Sequence, residues 1–397
     1  MKNNTIFNKD KKNCCGCAAC LNICPKNAIV MNEDVYGNLF PKIDNDKCIN
    51  CGLCEKVCSF DNVNYIREDK SCYAAYTNND NLLIKSSSGG IFASIAYNFL
   101  SDGGYVCGCA SEFIDNKIKV HHIVIDNVND LYKLQGSKYV QSSLIDVLCK
   151  IRDLLKDNKK VLFSGTPCQV ASLKSFLRKK YDNLFTIDII CHGAPSFKLF
   201  NDYIKFVENN KNIKINKFKF RNKENGWGLS GCLSGYKLGN NKDVSVVFCN
   251  NESSYYYLFQ KGYLYRDNCY NCPYASDNRP GDITIGDYWG IEKEHPELHF
   301  DSKKGISCLI INNDNGEILL EKYGNNINKT LSSFEKIQRN NDQLQHPTIE
   351  PKGNDKLREL YKNYGYAAVE KEFINIIGKR TLLKNIIKNR IKLFLKR

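Results

Sequence analysis

Eight of the chain's twenty cysteines fall into two copies of one spacing, and no other feature constrains the fold as tightly. The first copy is Cys14-x2-Cys17-x2-Cys20-x3-Cys24, followed by Pro25. The second is Cys48-x2-Cys51-x2-Cys54-x3-Cys58, followed by Ser59. Each cysteine stands 34 positions after its counterpart. Two-residue gaps let one tight loop aim three thiolates at three corners of a cube, and a fourth can arrive from across a pseudo-twofold.

This is the run of bacterial two-cluster ferredoxins, in which the fourth cysteine of each copy serves the other cluster. Cys14, Cys17, Cys20 and Cys58 are therefore expected to hold one [4Fe–4S] cluster, and Cys48, Cys51, Cys54 and Cys24 the other. A zinc module would need four cysteines in two pairs, not two runs of three with one behind each. A disulfide framework needs an oxidising compartment. Met1 to Lys12 has no apolar export segment, so the expected place is the cytoplasm. Ser59 departs from the proline of the first copy, but that proline only shapes the loop's exit. Cys15 is an extra thiol with no assigned role.

At 397 residues the chain has room for two or three domains, and this unit uses about the first 62. No apolar stretch approaches the roughly 18 residues needed to cross a bilayer. Basic residues outnumber acidic ones 57 to 43, a net charge of +14. With no nucleic-acid motif in view, that surplus suits an acidic electron-donor protein and phosphate-bearing cofactors. No P-loop, Gly-x-Gly-x-x-Gly or His-Glu-x-x-His occurs, nor the Cys-x3-Cys-x2-Cys spacing of radical-SAM enzymes. This argues against a Walker NTPase, a standard dinucleotide site and a zinc protease.

A polar linker is expected from Asp61 to Lys70. Strands are expected at Cys72–Thr77, Tyr105–Cys109, Lys160–Ser164 and Leu184–Ile190. Helices are expected at Gly90–Leu100, Ser143–Leu155, Pro167–Arg178 and Ser196–Glu208. Ile213 to Phe248 turns β-rich, with alternation at Asn216–Phe220 and Val244–Phe248 and turns near Lys223–Gly226 and Gly239–Asn241. The fold class is thus α+β: a ferredoxin-like dicluster domain (1–62), a mixed α/β core (72–345) without clean alternating parallel order, and a basic helical tail (346–397). Lys379 to Arg397 holds eight basic residues and no acidic one, with Leu383, Ile387, Ile391 and Phe394 at helical spacing. Such a helix suits peripheral contact with the inner face of a membrane, or packing on its own protein with a solvated lysine face.

Cys168 follows one apolar strand and Cys191 the next, while Cys269-x2-Cys272 precedes Pro273. Two strand ends and one such loop can converge on one site, where four thiolates would hold iron–sulfur or zinc. Buried free cysteines are equally common in cores, and spacing alone leaves both readings open.

At these segments the chain resembles the coenzyme F420 hydrogenase/dehydrogenase beta-subunit family, in its bacterial form with a fused two-cluster ferredoxin unit. The matching stretches are Ser86-Ser87-Ser88-Gly89-Gly90, Leu134 to Ser142, Gly165-Thr166-Pro167-Cys168-Gln169, Cys191-His192-Gly193, Arg266 to Cys272 and Asp282 to Gly290. The resemblance implies FAD in the core and a third [4Fe–4S] cluster on Cys168, Cys191, Cys269 and Cys272, with His192 as a stand-in ligand or a hydrogen-bond donor behind one. It also gives parts to the FAD site: Ser88, Gly89 and Gly90 before a helix that would face a pyrophosphate, then Ser137, Lys138, Tyr139, Thr166 and Gln169. Lys138 would face the flavin's pyrimidine edge and stabilise the reduced ring, and is the expected catalytic residue. Arg221, Trp227, Arg279 and Trp289 are candidates for a substrate wall.

Clusters pass single electrons and a flavin converts these into hydride chemistry. The expectation is an iron–sulfur flavoprotein oxidoreductase that takes electrons from an external ferredoxin to a small-molecule acceptor or to coenzyme F420. A relay subunit serving a partner enzyme is the alternative, and a sensor without steady redox flow a third.

Overall fold

The computed structural model describes residues 10–61, 70–298, 301 and 303–394. The expected linker lies, but for its two ends, outside the described residues. Within 10–61 the two cysteine runs fold as near copies. Ala19–Ile23 and Leu53–Lys56 are short helices, and β1 (Ile29–Glu33) pairs antiparallel with β2 (Leu39–Ile43). The copies share backbone signs as well: Gly16 and Asn50 have φ of +66° and +53°, Ala18 and Gly52 of +61° and +69°. Left-handed residues between the cysteines bend each loop so that its side chains converge. A β-carbon on Gly16 would also lie 2.9 Å from the Leu39 carbonyl oxygen, so that turn requires glycine.

Eleven strands follow: β3 (Ser71–Thr77), β4 (Tyr105–Ile114), β5 (Lys117–Ile125), β6 (Val161–Gly165), β7 (Leu184–Ile189), β8 (Ile213–Lys219), β9 (Ser230–Lys237), β10 (Asp243–Cys249), β11 (Ile283–Asp287), β12 (Ser307–Ile311) and β13 (Ile327–Ser332). Eight form one sheet in the order β13-β3-β12-β11-β7-β6-β4-β5. Only β11–β7, β7–β6 and β6–β4 pair parallel, the mixed order the sequence suggested. Strands buried on both faces read as continuous apolar runs, and side chains then divide by alternation. Val161, Phe163 and Leu184 pack against helices Leu148–Lys156 and Pro167–Leu177. Leu162, Phe185 and Ile187 pack against helices Ile91–Ser101 and Asp314–Tyr323.

β8, β9 and β10 form a separate antiparallel sheet. Around it Phe197–Lys211, Ser254–Gln260, Asn354–Tyr364 and Tyr366–Ile377 build a second core, with Phe200, Phe218, Tyr255, Tyr256, Leu357 and Val369 inside. Two helices of the expected tail therefore belong to this lobe, and the segment standing apart is the helix Lys379–Phe394. Two other expectations shift. The strand from Tyr105 continues to Ile114 because Asp115 and Asn116, both at positive φ, turn it into a hairpin with β5. The helix expected from Ser143 starts only at Leu148, because Ser143 bridges to His121 and accepts the His122 N–H.

β6, β7 and β11 are adjacent and parallel, so their carboxyl ends share one edge of the sheet, where ligands of open α/β sheets bind. Asp188 and Arg279 clamp that edge. Arg279 Nη2 lies 2.6 Å from Asp188 Oδ1, with the two side chains 1% and 0% exposed. Asp188 also accepts from Gly281 N and Thr284 Oγ1, while Arg279 donates to the carbonyls of Tyr274 and Ile189. Arg279 is thus a strut between strand end and loop, not a wall of a substrate site. Removing one partner of a buried pair strands the other charge. Asp188→Ala is expected to cost about 3–5 kcal/mol, read as a lowered midpoint of denaturant unfolding.

Candidate redox site

The dicluster thiols face two ways. Cys24, Cys48, Cys51 and Cys54 bound one small cavity with Ile29 and Ile43, which is the set expected for one cluster. Cys51 is exposed. The complementary set turns toward the core. Cys20 is buried, and burial followed by its neighbours Cys17, Cys14 and Cys58 pushes its thiol well up. Cys17 packs with Leu144, Val147 and Leu148 of the core.

Cys168 and Cys191 lie just past the carboxyl ends of β6 and β7. With Cys269 they line a single cavity of about 370 Å³. Cys272 does not line it, yet its charge acts on both Cys191 and Cys269. Burial first and Cys272 second push the Cys191 thiol up to about 11. Thiols are soft donors, and metal binding is what removes protons from thiols raised as those of Cys191, Cys269 and Cys272 are. His192 lines the same cavity, and burial chiefly lowers its pKa. Gly193 has φ of +137°, and a β-carbon there would come 2.3 Å from the Tyr265 ring, so the turn after Cys191 requires glycine.

Cys15, which sequence reasoning left without a role, sits buried at the seam between the two units. Its Sγ is 3.8 Å from Ser172 Oγ, and Cys168 and then Cys17 are the neighbours that act most on its thiol. Ser59 Oγ lies 3.1 Å from Ser172 Oγ, Tyr274 donates to the Ser59 carbonyl, and Gln141 Nε2 donates to that of Cys15. Cys17 of the inner set and Cys168 of the core thus both adjoin Cys15 at the seam.

Of the residues expected to hold a flavin, Ser88, Gly90, Ser137, Lys138, Tyr139, Thr166 and Gln169 line this cavity. Gly89 is packed behind it, where a β-carbon would meet the Ala75 carbonyl oxygen at 2.4 Å. Several have other duties. Lys138 Nζ donates to the carbonyls of Lys133, Leu134 and Gln135, so all three of its protons close a helix end. Burial lowers its pKa to about 8. The ammonium therefore does not present a free N–H to a ring edge. Thr166 and Gln169 form a reciprocal capping box on the helix Pro167–Leu177. Gly90 caps the helix Ile91–Ser101 with φ of +77°, and Ser137 N and Oγ both donate to Ser87 Oγ. That helix offers its first N–H groups to the cavity, where an anion is favoured.

Sequence reasoning missed Asp287 and His122. Asp287, at the end of β11, accepts from Arg221 Nη1 at 2.7 Å and Trp227 Nε1 at 2.8 Å. Trp227 stacks on Trp289 with centroids 4.8 Å apart. Arg221 and Trp289 line the cavity, and Trp227 supports them from behind. His122 stacks on Phe163, with Nε2 3.1 Å from the Ser164 carbonyl and Nδ1 3.1 Å from Ser142 Oγ. Gln169 Nε2 donates to Ser142 in turn. His122 stands in no patterned run, and Asp287, though inside the resembling stretch Asp282 to Gly290, is one of several polar residues there with nothing in the sequence to single it out.

The chain thus docks a two-run thiol unit against a mixed sheet whose strand ends carry further thiols. Residues 13–62 match the 4Fe-4S dicluster domain, and residues 158–336 match the family described as the C terminus of the coenzyme F420 hydrogenase/dehydrogenase beta subunit. The chain joins these two family domains, as the resemblance implied. The coenzyme F420-dependent sulfite reductase of Methanocaldococcus jannaschii is 28% identical over 192 residues, covering 46% of this chain. The match spans only 28% of that relative's length. A chain of the F420-reducing [NiFe] hydrogenase complex from Methanosarcina barkeri superposes with a TM-score of 0.43 at 15% identity, covering 73% of this chain and 91% of that one.

His122 sets a pH dependence. Burial pulls its pKa from 6.5 to about 3. Between those values the unfolded chain binds a proton that the folded chain refuses, so stability falls as pH drops below 6.5. The loss is expected to reach about 2 kcal/mol at pH 5. Denaturant unfolding from pH 7 to 5 should show a shallower slope for His122→Gln than for the parent protein.

Proposed function

We propose that this chain is an FAD-dependent iron–sulfur oxidoreductase. In this reading it passes electrons from an external ferredoxin through [4Fe–4S] clusters to FAD, and on to an organic acceptor or coenzyme F420. The dicluster unit within 1–62 is the entrance and the core within 72–345 is the body. One observation carries the reading: thiols beyond β6 and β7 line the same cavity as the amino end of the helix Ile91–Ser101, and Cys15, next to Cys17 of the inner dicluster set, lines it too. Cys168, Cys191, Cys269 and Cys272 would hold the third cluster. Ser87, Ser88 and the helix N–H groups would receive a pyrophosphate, and Ser137 would hold the Ser87 hydroxyl in place. A bound flavin would supply the exchange between single electrons and hydride. Lys138 would shape the wall, and Arg221, fixed by Asp287, would offer positive charge to an acceptor.

The family description also names a beta subunit, which favours a second reading: a relay that serves a partner enzyme. Anaerobic purification is expected to give roughly twelve irons and one FAD per chain, and reduced ferredoxin should bleach the bound flavin. Iron-loaded protein without flavin absorbance would sink the first reading. Bleaching without turnover of any acceptor, together with stable co-purification of a second enzyme, would select the relay.

Among the described residues no helix is long and apolar enough to cross a membrane. The helix Lys379–Phe394 nevertheless exposes Leu383, Ile387 and Ile391 at 53%, 58% and 54%. Exposed Lys384 and Lys388 flank them, and Asn389 ties the helix to Glu252. An apolar stripe edged by lysines fits the anionic inner leaflet of a membrane. The protein is expected to sediment with anionic vesicles and not with zwitterionic ones, and to lose that binding in Leu383→Glu/Ile387→Glu.

A further inference from the structure

Arg266 carries a charge for which the described protein offers no counter-ion. Its side chain is among the largest that are fully buried, at 2% exposure. It reaches from the loop before Cys269 into the dicluster unit. Nε donates to the Cys14 carbonyl at 2.7 Å, and Nη2 to the Leu39 carbonyl at 2.7 Å and to Cys14 Sγ at 3.5 Å. The guanidinium lies 4.1 Å over the Phe40 ring. Nη1 is buried without a hydrogen-bond partner, 3.1 Å from where a β-carbon on Gly16 would stand. Among the described residues no carboxylate pairs with it, whereas Arg221, Arg279 and Arg358 each have one.

Burying an unpaired cation is costly unless an anion sits beside it. Carbonyl dipoles and one aromatic face offset only part of that cost. An iron–sulfur cube with four thiolates is anionic in both redox states and gains a further negative charge on reduction. Cys14 belongs to the set expected to hold one such cube, and the Arg266 side chain is already aimed at its sulfur. The orphaned Nη1 and the missing carboxylate are what a site built around an anionic cluster would leave.

We propose that Arg266 is the charge partner of the cluster on Cys14, Cys17, Cys20 and Cys58, and that it raises this cluster's reduction potential. Cluster potential follows net charge, hydrogen bonds to sulfur and solvent exposure. A fixed cation and an N–H to sulfur both favour the reduced, more negative form. The exposed set around Cys51 accepts one N–H, from Ala28 to Cys24 Sγ at 3.3 Å, and is bordered by the exposed Lys26, but has no buried cation among the described residues. Arg266 is a positioning residue.

The test is a redox titration of the whole anaerobic protein by electron paramagnetic resonance, with iron counted in each sample. Arg266→Gln should keep its iron and shift one cluster to a tenfold less favourable reduction constant, about 59 mV lower for one electron. Arg266→Lys should recover part of that shift. Cys51→Ser should perturb a different signal, which assigns the shifted one to the inner set. If Arg266 only pinned the two units together, its loss would admit water, which favours the reduced form, and the potential would rise. A rise, or no shift with iron intact, overturns the proposal. Parent protein without iron–sulfur signals would instead overturn the dicluster reading on which it rests.

Discussion

Three neighbouring strands, β6, β7 and β11, run parallel and stop at one edge, and the chemistry of the core hangs from that edge. Cys168 follows the first, Cys191 the second, and Asp287 closes the third. Parallel pairing brings together residues more than a hundred positions apart without a long loop to hold them. The buried Asp188–Arg279 contact fixes the edge in turn, since it joins β7 to the segment carrying Cys272. Loss of that contact would move two thiols relative to the other pair before any cofactor was lost.

The seam between the units adds a second constraint. Several of its polar contacts are made to backbone carbonyls: Gln141 to Cys15, Arg266 to Cys14 and Leu39, Tyr274 to Ser59. Such contacts fix position without depending on which side chains surround the cubes. The two parts behave as one body because donors from three separate core segments grip one small loop region.

Much of this was legible beforehand because it is local. Cysteine spacing, apolar runs such as Val161–Ser164 and the proline after Thr166 each act over a few residues. The dicluster unit, the central strands and the lining roles of Ser88, Gly90 and Ser137 followed from such signals and from the resemblance. What escaped depended on distant partners. Lys138 looked free, but the carbonyls that claim it belong to a helix end whose geometry no pattern announces. Arg279 looked like a wall residue until Asp188 proved to be its neighbour. Gly89 looked like part of a cradle, yet it packs against β3. His122 and Asp287 stood in ordinary strands, and only the fold gave them a cavity to face.

The openness of Cys51 cuts both ways. A sulfur that a donor protein can approach is also one that dioxygen can reach, so oxidative damage would start at the periphery and work inward. A cube bound at that rim would be lost before anything held by the buried thiols, and reassembly there would begin where iron and sulfide arrive directly from water.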